Sequence, residues 1–450
     1  MSYLFLALFA IAEIALVILT FTKFPEKAAW RKNRAFIRAA ETVLLLGMIL
    51  LPTVHLKWRF LFALIVLIMR LLIAGIVWLV NRKKTDGLRQ KPRTVISCVF
   101  SVILISFALI PSFLFTNYNG LKTTGAYRVN EVSAILIDEG RTDPFENDGS
   151  YREIPVHFYY PENSDGEYPL VVFSHGAFGY YQSNFSTYAE LASNGYVVAA
   201  LDHPHHSFFT KDSSGKTVIV DRGFIADVMT INETTSDEMV FELSQSWLKL
   251  RVDDFNCVLD AVEEAAKTHA LGNNWLTEDR DTVLSVLNHT DTDRIGLMGH
   301  SLGGAASVAV GRERTDVAAV IDLDGTMLGE TKGVENGRNV YYDEPYPVPV
   351  LDFNKERDYN DREQYKSEKG YPYVNEYVVE NAKDGRTVTF SGVEHMDFTD
   401  LPLISPFLAK MLGSGDVDHE STLNTVNGIV LNWFDYYLKG EGTLDIQAGY

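Results

Sequence analysis

The sequence predicts an α/β protein with a mostly parallel, doubly wound sheet, preceded by an all-α region of membrane-spanning helices. From about Gly125 onward, short β-rich runs alternate with helical stretches, which is typical of a parallel sheet covered by helices on both faces. Residues 1–116 instead contain four long apolar runs. We therefore expect a four-helix transmembrane region over residues 1–116 and a globular α/β domain over residues 117–450.

The charge distribution follows the same division. Residues 1–94 carry 15 Lys and Arg against 4 Asp and Glu, whereas the rest of the chain carries 25 against 55. A domain with such an excess of negative charge does not bind nucleic acid through a phosphate-neutralising patch. The two cysteines, Cys98 and Cys257, are too few for a structural zinc cluster. We expect no metal ion, no cofactor and no nucleic-acid partner.

The four apolar runs are close to the ~20 residues that a helix needs to cross a bilayer. The predicted spans are Ser2–Phe21, Phe36–Val54, Phe60–Val80 and Val95–Phe115. The second span has the weakest signal, because Arg38 and Glu41 leave only Thr42–Val54 uninterrupted. The alternative for each run is a helix buried in a protein core, but four such runs at one end of the chain favour a bilayer as the partner.

Basic residues set the predicted orientation of these spans. They cluster after the first span, over residues 23–34, and after the third, over residues 82–93. Because loops rich in Lys and Arg stay in the cytosol, everything after Phe115 should lie outside. The sequence thus predicts a multi-pass cell-membrane protein with an extracytoplasmic globular domain. Glu13 and Arg70 fall near the middle of the bilayer, where mutual pairing or contact with lipid headgroups would lower their cost.

The globular domain shows strand and helix signals in alternation. The predicted strands are Ala134–Ile137, Ile154–Tyr160, Leu170–Ser174, Tyr196–Leu201, Arg294–Met298, Val317–Leu323, Val348–Phe353 and Thr387–Val393. Those at Leu170–Ser174 and Tyr196–Leu201 are mostly apolar, as expected for strands covered on both faces. Asp237–Ala266 and Leu423–Leu438 have the apolar spacing of amphipathic helices.

A candidate nucleophile follows the strand Arg294–Met298. The segment Gly299-His300-Ser301-Leu302-Gly303-Gly304 matches G-x-S-x-G between a strand and a helix. This turn is so tight that side chains at 299 and 303 would collide with neighbouring backbone, and it projects the serine hydroxyl clear of the sheet. A Gly-rich packing turn is the alternative, but the strand–helix position favours Ser301 as a nucleophile.

A serine hydroxyl needs a base, and two histidines follow Ser301 in the chain. His395 comes directly after the strand Thr387–Val393, at the edge where active sites of open α/β sheets lie. His419 is in a polar segment that resembles a solvated helix start. The sequence therefore favours His395 as the base.

The acid should end the strand that follows the nucleophile helix. Val317–Leu323 and the next residue offer Asp322 and Asp324, which point to one side at a period of two. Asp324 is at the tip, before Gly325, and is the predicted acid that holds the imidazole tautomer. Asp322 would be a structural carboxylate.

An oxyanion hole requires two backbone N–H groups. One should come from Leu302, directly after the nucleophile. The other should come from the loop after the strand Leu170–Ser174, where Ala177 is the natural donor. The segment Asp202–His206 follows the next strand, and its composition favours a polar loop lining the site over a metal site. Five aromatic residues near these strands would form an acyl pocket or ordinary packing: Phe178, Tyr180, Tyr181, Phe208 and Phe209.

These motifs, in this order, resemble those of the platelet-activating-factor acetylhydrolase family of α/β-hydrolases. The resemblance covers about Tyr127 to Leu438 and is carried by Arg141-Thr-Asp-Pro-Phe, Tyr159-Tyr-Pro, Phe173-Ser-His-Gly, Tyr196–Asp202, Gly299–Gly304 and His395-Met-Asp-Phe. The 23 residues from Ser301 to Asp324 fit the family spacing. The resemblance implies an α/β-hydrolase fold that cleaves carboxylic esters, often short or oxidised acyl chains on phospholipids. The four predicted spans depart from the secreted members of that family.

The expected partner is accordingly a small-molecule or lipid ester, with the bilayer as a second partner. A peptidase or an acyltransferase would use the same triad of Ser301, His395 and Asp324. A non-catalytic membrane binding module is an alternative from another class, and the intact triad argues against it.

Overall fold

The computed structural model describes residues 1–84, 87–162, 166–231 and 235–450. Contacts divide the chain into two compact units. One contains Met1–Asn119 and Pro402–Met411, and the other contains Gly120–Leu401 and Leu412–Tyr450. A short segment of the C-terminal half thus groups with the N-terminal helices, where Thr116 N donates a hydrogen bond to Ile404 O at 2.8 Å.

The helices and strands have the following bounds. The helices are α1 (Ser2–Thr22), α2 (Lys27–Ile49), α3 (Leu61–Val80), α4 (Lys91–Ala108), α5 (Ile110–Leu114), α6 (Phe185–Ser193), α7 (Arg222–Thr230), α8 (Asp237–Thr268), α9 (Arg280–Asn288), α10 (Leu302–Glu313), α11 (Glu356–Lys369), α12 (Val374–Asn381), α13 (Leu401–Ile404), α14 (Pro406–Met411) and α15 (His419–Phe434). The strands are β1 (Val129–Thr142), β2 (Tyr151–Pro161), β3 (Tyr168–Ser174), β4 (Val197–Leu201), β5 (Phe209–Lys211), β6 (Thr217–Ile219), β7 (Trp275–Leu276), β8 (Thr290–His300), β9 (Val317–Leu323), β10 (Thr331–Glu335), β11 (Arg338–Tyr341), β12 (Val350–Lys355) and β13 (Gly385–Phe390).

Three helical segments of the described chain are long and apolar enough to cross a membrane: Ser2–Thr22, Lys57–Val80 and Lys91–Ala108. Helix α2 does not meet that criterion, although a second span was predicted over part of it. It begins at Lys27 and therefore includes the basic segment expected to be a loop, together with Arg38 and Glu41. Its charged N-terminal half lowers the hydropathy of the whole helix.

The charges of the first unit are paired inside it. Glu13 is buried, and its Oε1 lies 2.6 Å from Arg70 Nη2. Arg38 pairs with Glu13 as well, and with Glu41 at 2.9 Å. Of the two arrangements considered for Glu13 and Arg70, mutual pairing is confirmed. Pairing reduces the cost of placing these groups among apolar helices.

Hydrogen bonds mark the two ends of this helical unit. Arg31 Nη2 donates to Asn81 O at 3.2 Å and to Lys84 O at 3.3 Å, which joins the two predicted basic loops. Helix α3 separates this end from the other, where Arg59 Nη1 donates to Phe115 O at 2.8 Å. The start of α2 and the end of α3 therefore lie together. The residues just before α3 and just after α5 likewise lie together.

In the described ranges, the main sheet of the second unit has nine strands in the order β13-β12-β9-β8-β3-β4-β2-β1-β7. The six strands from β13 to β4 run parallel, and β2, β1 and β7 add an antiparallel edge. The predicted mostly parallel sheet is confirmed. The carboxyl ends of β3, β8, β9 and β13 consequently share one edge of the sheet, which is where the candidate site residues lie.

Two hydrophobic cores cover the two faces of the sheet. Leu170 and Val172 of β3 pack in a core with α8, α9 and α10, whereas Val171 and Phe173 pack on the opposite side with α6 and α15. Successive side chains of a strand point to opposite faces, so an apolar strand such as β3 is covered by helices on both sides. This is the doubly wound arrangement that the mostly apolar strands predicted.

Candidate active site

Ser301 occupies a strained turn between β8 and α10. Its backbone has φ 56° and ψ −122°, which is unfavourable for a residue with a side chain. A Cβ on Gly299 would meet the backbone of Gly303, and a Cβ on Gly303 would meet the backbone of Ser174. The predicted steric reason for the two glycines is confirmed. The turn is held by the Ser301 N–H, which donates to Leu323 O at 2.9 Å.

The structure brings His395 and Asp324 together. His395 opens a short 3₁₀ helix after β13, and its Nδ1 donates to Asp324 Oδ2 at 2.5 Å. Asp324 directly follows β9 and adopts a left-handed φ of 53°, which aspartate tolerates better than most residues. Because the His395 side chain is 34% exposed while Asp324 is buried, the carboxylate fixes one side of a ring that remains open to solvent.

Asp324 is set up to stay ionised. Burial alone would raise the pKa of its carboxyl, but the hydrogen bond and charge of His395 hold that pKa below its usual value, with help from Lys355. The buried Lys355 places its Nζ 3.4 Å from Asp324 Oδ2. An ionised carboxylate here stabilises the Nδ1–H tautomer of His395, which leaves Nε2 as a proton acceptor.

Asp322 has a different environment, as predicted for a structural carboxylate. It is fully buried, and its Oδ1 accepts a hydrogen bond from Gly325 N at 3.0 Å. Burial and the neighbouring Asp352 raise the pKa of Asp322 well above its usual value. In the described part of the chain Asp322 makes no hydrogen bond to His395. Asp322 therefore braces the turn after β9 through its hydrogen bond from Gly325 N.

His300 links the Ser301 turn to the loop that contains His395. Its Nε2 donates to His395 O at 3.1 Å, and the two rings lie 4.5 Å apart between centroids. Burial, followed by the charge of His395, lowers the pKa of His300 to about 3, so that it stays neutral. Within the described residues, no hydrogen bond joins Ser301 Oγ to His395. Such bonds are often loose in a ligand-free enzyme and tighten with substrate.

His419, the other histidine considered, lies elsewhere. It is the first residue of α15, and its Nδ1 is 3.1 Å from Asp397 Oδ1. The predicted helix start is confirmed. The His419 side chain is less solvated than predicted, at 24% exposed, because it packs against the buried Asp397. His419 does not contact Asp324 in the described structure.

The two predicted oxyanion donors flank Ser301. Gly176 lies so close that a Cβ built on it would be 3.2 Å from Ser301 Cβ, and Ala177 follows it. Leu302 is the first residue of α10, where backbone N–H groups have no acceptor within the helix. The loop after β3 and the start of α10 therefore border the Ser301 turn from two sides.

The segment Asp202–His206 is mostly buried rather than lining an open site. His203 Nε2 lies 2.9 Å from Ser174 Oγ, and His203 Nδ1 lies 2.9 Å from Asp254 Oδ2. This is a complete Ser–His–Asp chain of hydrogen bonds, but all three residues are fully buried. Burial, followed by the charge of Arg251, lowers the pKa of His203 to about 4. A substrate has no access to Ser174, so this chain is structural.

Sequence reasoning missed the charged residues of this buried network. Asp254 binds Arg152 at 2.9 Å, and Arg251 donates to the loop that contains Ala177. Arg251 and Asp254 lie on the same helical face as the predicted apolar residues Trp247, Val252 and Phe255. Two charges on the apolar face of an amphipathic helix are a signal for a buried polar network.

Four of the five aromatic residues near the site form a chain of ring contacts, Tyr181–Tyr180–Phe209–Phe208, with neighbouring centroids 5.6–5.9 Å apart. Phe178 packs on Phe224, and Tyr181 stacks on His157, so these side chains take part in ordinary packing. Phe208 and Phe209 are 60% and 42% exposed, at the start of the β5–β6 hairpin. In the described part of the chain, Phe178 makes its ring contact with Phe224 and not with the other four aromatic residues.

Comparisons with known proteins agree with this geometry. The family described as "Platelet-activating factor acetylhydrolase, isoform II" matches residues 149–443. The platelet-activating factor acetylhydrolase of Cavia porcellus is 24% identical over 314 residues, which cover 65% of this chain and 63% of that protein. The corresponding protein of Canis lupus familiaris is 24% identical over 294 residues, covering 63% and 60%. The chain thus spans about three fifths of the length of these curated relatives.

A solved structure supports the fold independently. The ferulic acid esterase from Streptomyces cinnamoneus superposes with a TM-score of 0.54 and 21% identity, covering 73% of this chain and 96% of that one. At this identity the likeness shows the fold alone, and it confirms the predicted α/β-hydrolase architecture. Since the family match extends over more than half of the residues, the chain belongs to the platelet-activating factor acetylhydrolase isoform II family.

Proposed function

We propose that this protein is a membrane-anchored serine hydrolase of carboxylic esters. The observation that carries the proposal is the hydrogen bond between His395 Nδ1 and Asp324 Oδ2, beside the strained turn of Ser301. The order nucleophile, acid, base along the chain is that of α/β-hydrolases. In this proposal Ser301, His395 and Asp324 form the catalytic triad, and the Ala177 and Leu302 N–H groups form the oxyanion hole.

Acylation follows from this geometry. Ser301 Oγ attacks the ester carbonyl carbon while His395 Nε2 takes the hydroxyl proton, and the carbonyl oxygen becomes an oxyanion. The Ala177 and Leu302 N–H groups stabilise that oxyanion. Collapse of the tetrahedral species breaks the ester C–O bond, and the imidazolium returns its proton to the leaving alcohol. Asp324 stabilises the imidazolium throughout.

Deacylation repeats these steps with water. His395 accepts a proton from a water molecule, which attacks the acyl-enzyme carbonyl, and then returns that proton to Ser301 Oγ. The products are a carboxylic acid and the free enzyme. An alcohol acceptor in place of water would give acyl transfer, and an amide substrate would give peptidase activity, so substrate panels separate these alternatives.

We expect the full chain, purified in detergent, to hydrolyse p-nitrophenyl esters. A series from acetate to palmitate measures the preferred acyl length, and a 2-acetyl phospholipid tests the substrate that the relatives' names indicate. The matching p-nitroanilides test the peptidase alternative, and added short alcohols test acyl transfer. Turnover of anilides with no ester hydrolysis, or the absence of both activities and of fluorophosphonate labelling, would contradict the proposed function.

We further propose that all four N-terminal helices cross the membrane and that the globular unit lies outside the cell. The contacts of Arg31 with Asn81 and Lys84 support a common side for the two basic loops. If both loops are cytosolic, α2 must cross the bilayer for α3 to return. Residues 112–119 then leave the membrane on the opposite side, where the rest of the chain follows.

Impermeant maleimide labelling should distinguish these two ends. In a Cys98→Ser, Cys257→Ser background, we expect intact cells to label Lys57→Cys but not Lys23→Cys or Lys84→Cys. Permeabilised cells should label all three, which controls for the accessibility of these exposed positions. Equal protection of Lys57→Cys and Lys23→Cys in intact cells would mean that α2 does not cross. Labelling of Lys23→Cys and Lys84→Cys without Lys57→Cys would mean a reversed orientation.

A further inference from the structure

Arg251 of α8 lies fully buried behind the loop that contains Ala177. Its Nη1 donates to His175 O and, at 3.2 Å, to Ser174 Oγ, while its Nη2 donates to Gly176 O at 3.3 Å. Its Nε has no hydrogen-bond partner among the described residues. The guanidinium group therefore donates to two backbone carbonyls of one loop and to the hydroxyl of Ser174 at its start.

The charge of Arg251 lacks a carboxylate in direct contact. Within the described ranges no Asp or Glu forms an ion pair with it, whereas the equally buried Arg152 is paired with Asp143 and Asp254, each at 2.9 Å. Burial lowers the pKa of Arg251 to about 9, so it remains mostly protonated at neutral pH. A buried charge without a counterion is unfavourable, and structures keep such charges most often where function uses them.

Arg251 helps to fix the direction of a neighbouring donor. The Gly176 carbonyl accepts from Arg251 Nη2 at 3.3 Å and from Gly179 N at 3.1 Å, and it lies 2.7 Å from His175 Nδ1. In a trans peptide the C=O and the following N–H point to opposite sides. Since Gly176 C=O points to Arg251, the N–H of Ala177 points away from it. That N–H makes no hydrogen bond in the described structure, and Gly176 borders Ser301. A free donor is thus held beside the nucleophile.

The same contact also polarises this donor. A cation bound to a peptide carbonyl withdraws electron density from the peptide, which strengthens its N–H as a donor. A neighbouring hydrogen-bond chain keeps Arg251 in place: Ser174 Oγ bonds to His203, and His203 bonds to Asp254. The buried Ser–His–Asp chain described above therefore supports the guanidinium group.

We propose that Arg251 is a positioning residue for the oxyanion hole, which aims and polarises the Gly176–Ala177 peptide when negative charge develops on the substrate. This inference rests on the ester hydrolysis proposed above. It predicts that the contribution of Arg251 appears in the transition state rather than in substrate binding. A residue that only packs the loop would instead affect the thermal midpoint and leave turnover unchanged.

The test compares Arg251→Met, Arg251→Lys and a matched control. Arg312→Met serves as the control. It removes a partly buried ion pair with Glu330, at 2.5 Å, in the same unit of the chain but at the other end of α10 from Ser301. For each folded variant we measure kcat and KM on a p-nitrophenyl ester, affinity for a trifluoromethyl ketone that mimics the tetrahedral species, and the thermal midpoint.

We expect Arg251→Met to lower kcat by about 10²–10³, as removal of an oxyanion donor does, with KM changed by no more than about threefold. Affinity for the ketone should fall by a similar factor to kcat. Arg251→Lys keeps the charge but cannot hold both carbonyls, so an intermediate loss of about tenfold is expected. Arg312→Met should lower the thermal midpoint and leave kcat unchanged.

Several outcomes would overturn the proposal. A folded Arg251→Met with wild-type kcat and ketone affinity, or with a change confined to KM, shows a purely structural role. If Arg251→Met does not fold, Arg251→Lys decides, and wild-type kcat in that variant overturns the positioning role. A wild-type protein that neither hydrolyses esters nor reacts with a fluorophosphonate overturns the proposed function, and the role of Arg251 with it.

Discussion

Ser301→Ala is expected to remove ester hydrolysis almost completely, with a loss of kcat on the order of 10⁶ if Ser301 acts as in other serine hydrolases. The hydroxyl is the only group in the proposed mechanism that forms the acyl-enzyme bond. Ala fits the turn at least as well as Ser, because only Oγ is removed and the strained backbone is set by the surrounding glycines. The measurements are kcat/KM on the preferred ester and labelling by a fluorophosphonate probe, with circular dichroism to show that the variant is folded.

The chain offers a matched control for this experiment in Ser174. Ser174 has a better hydrogen-bonded His–Asp pair than Ser301, at 2.9 Å to His203, but it is fully buried. We therefore expect Ser174→Ala to retain fluorophosphonate labelling and to lower the thermal midpoint. Loss of labelling in folded Ser174→Ala, together with undiminished labelling of Ser301→Ala, would exchange the two serines and disprove the proposed nucleophile.

The candidate site residues could be chosen from the sequence because each choice depends on local pattern. The glycines around Ser301 identify a strand–helix turn by their spacing alone, and His395 was found because it follows a strand that ends at the same edge of the sheet. Asp324 was separated from Asp322 by its place at the strand tip, and its hydrogen bond to His395 agrees with that choice. In each case the choice depends on glycine spacing or on a position at the end of a strand.

Other features depend on contacts between distant residues, which a single sequence does not reveal. Arg251 meets the carbonyls of His175 and Gly176, about 75 residues away in the chain, and nothing in the local pattern specifies that contact. Arg38 and Glu41 weaken the signal of the second predicted span, yet both are buried, and Arg38 pairs with Glu13 and with Glu41. Long-range ion pairs can override local hydropathy in this way.

The short β5–β6 and β10–β11 hairpins were missed because strands of three to five residues lack a clear period.

The second large effect is expected for Asp324→Asn, which should lower kcat by about 10⁴, as the loss of the triad carboxylate does in a related enzyme. Asn can still accept a hydrogen bond through its amide oxygen, but it cannot stabilise the imidazolium and it permits the wrong imidazole tautomer. Because the loss is felt in the transition state, KM should change little. The measurement is kcat and KM on the preferred ester, with the thermal midpoint as a check on folding.

Asp322→Asn is the control for the position of the acid. Burial and Asp352 raise the pKa of Asp322 well above its usual value, which favours the neutral carboxyl, and an amide of the same shape replaces that form closely. The amide oxygen can keep the bond from Gly325 N, now 3.0 Å. We therefore expect kcat to stay within about threefold of the wild type, as for a substitution that leaves the transition state untouched. A folded but inactive Asp322→Asn beside an active Asp324→Asn would reverse the roles of the two carboxylates, and the hydrogen bond between His395 and Asp324 would then be incidental to catalysis.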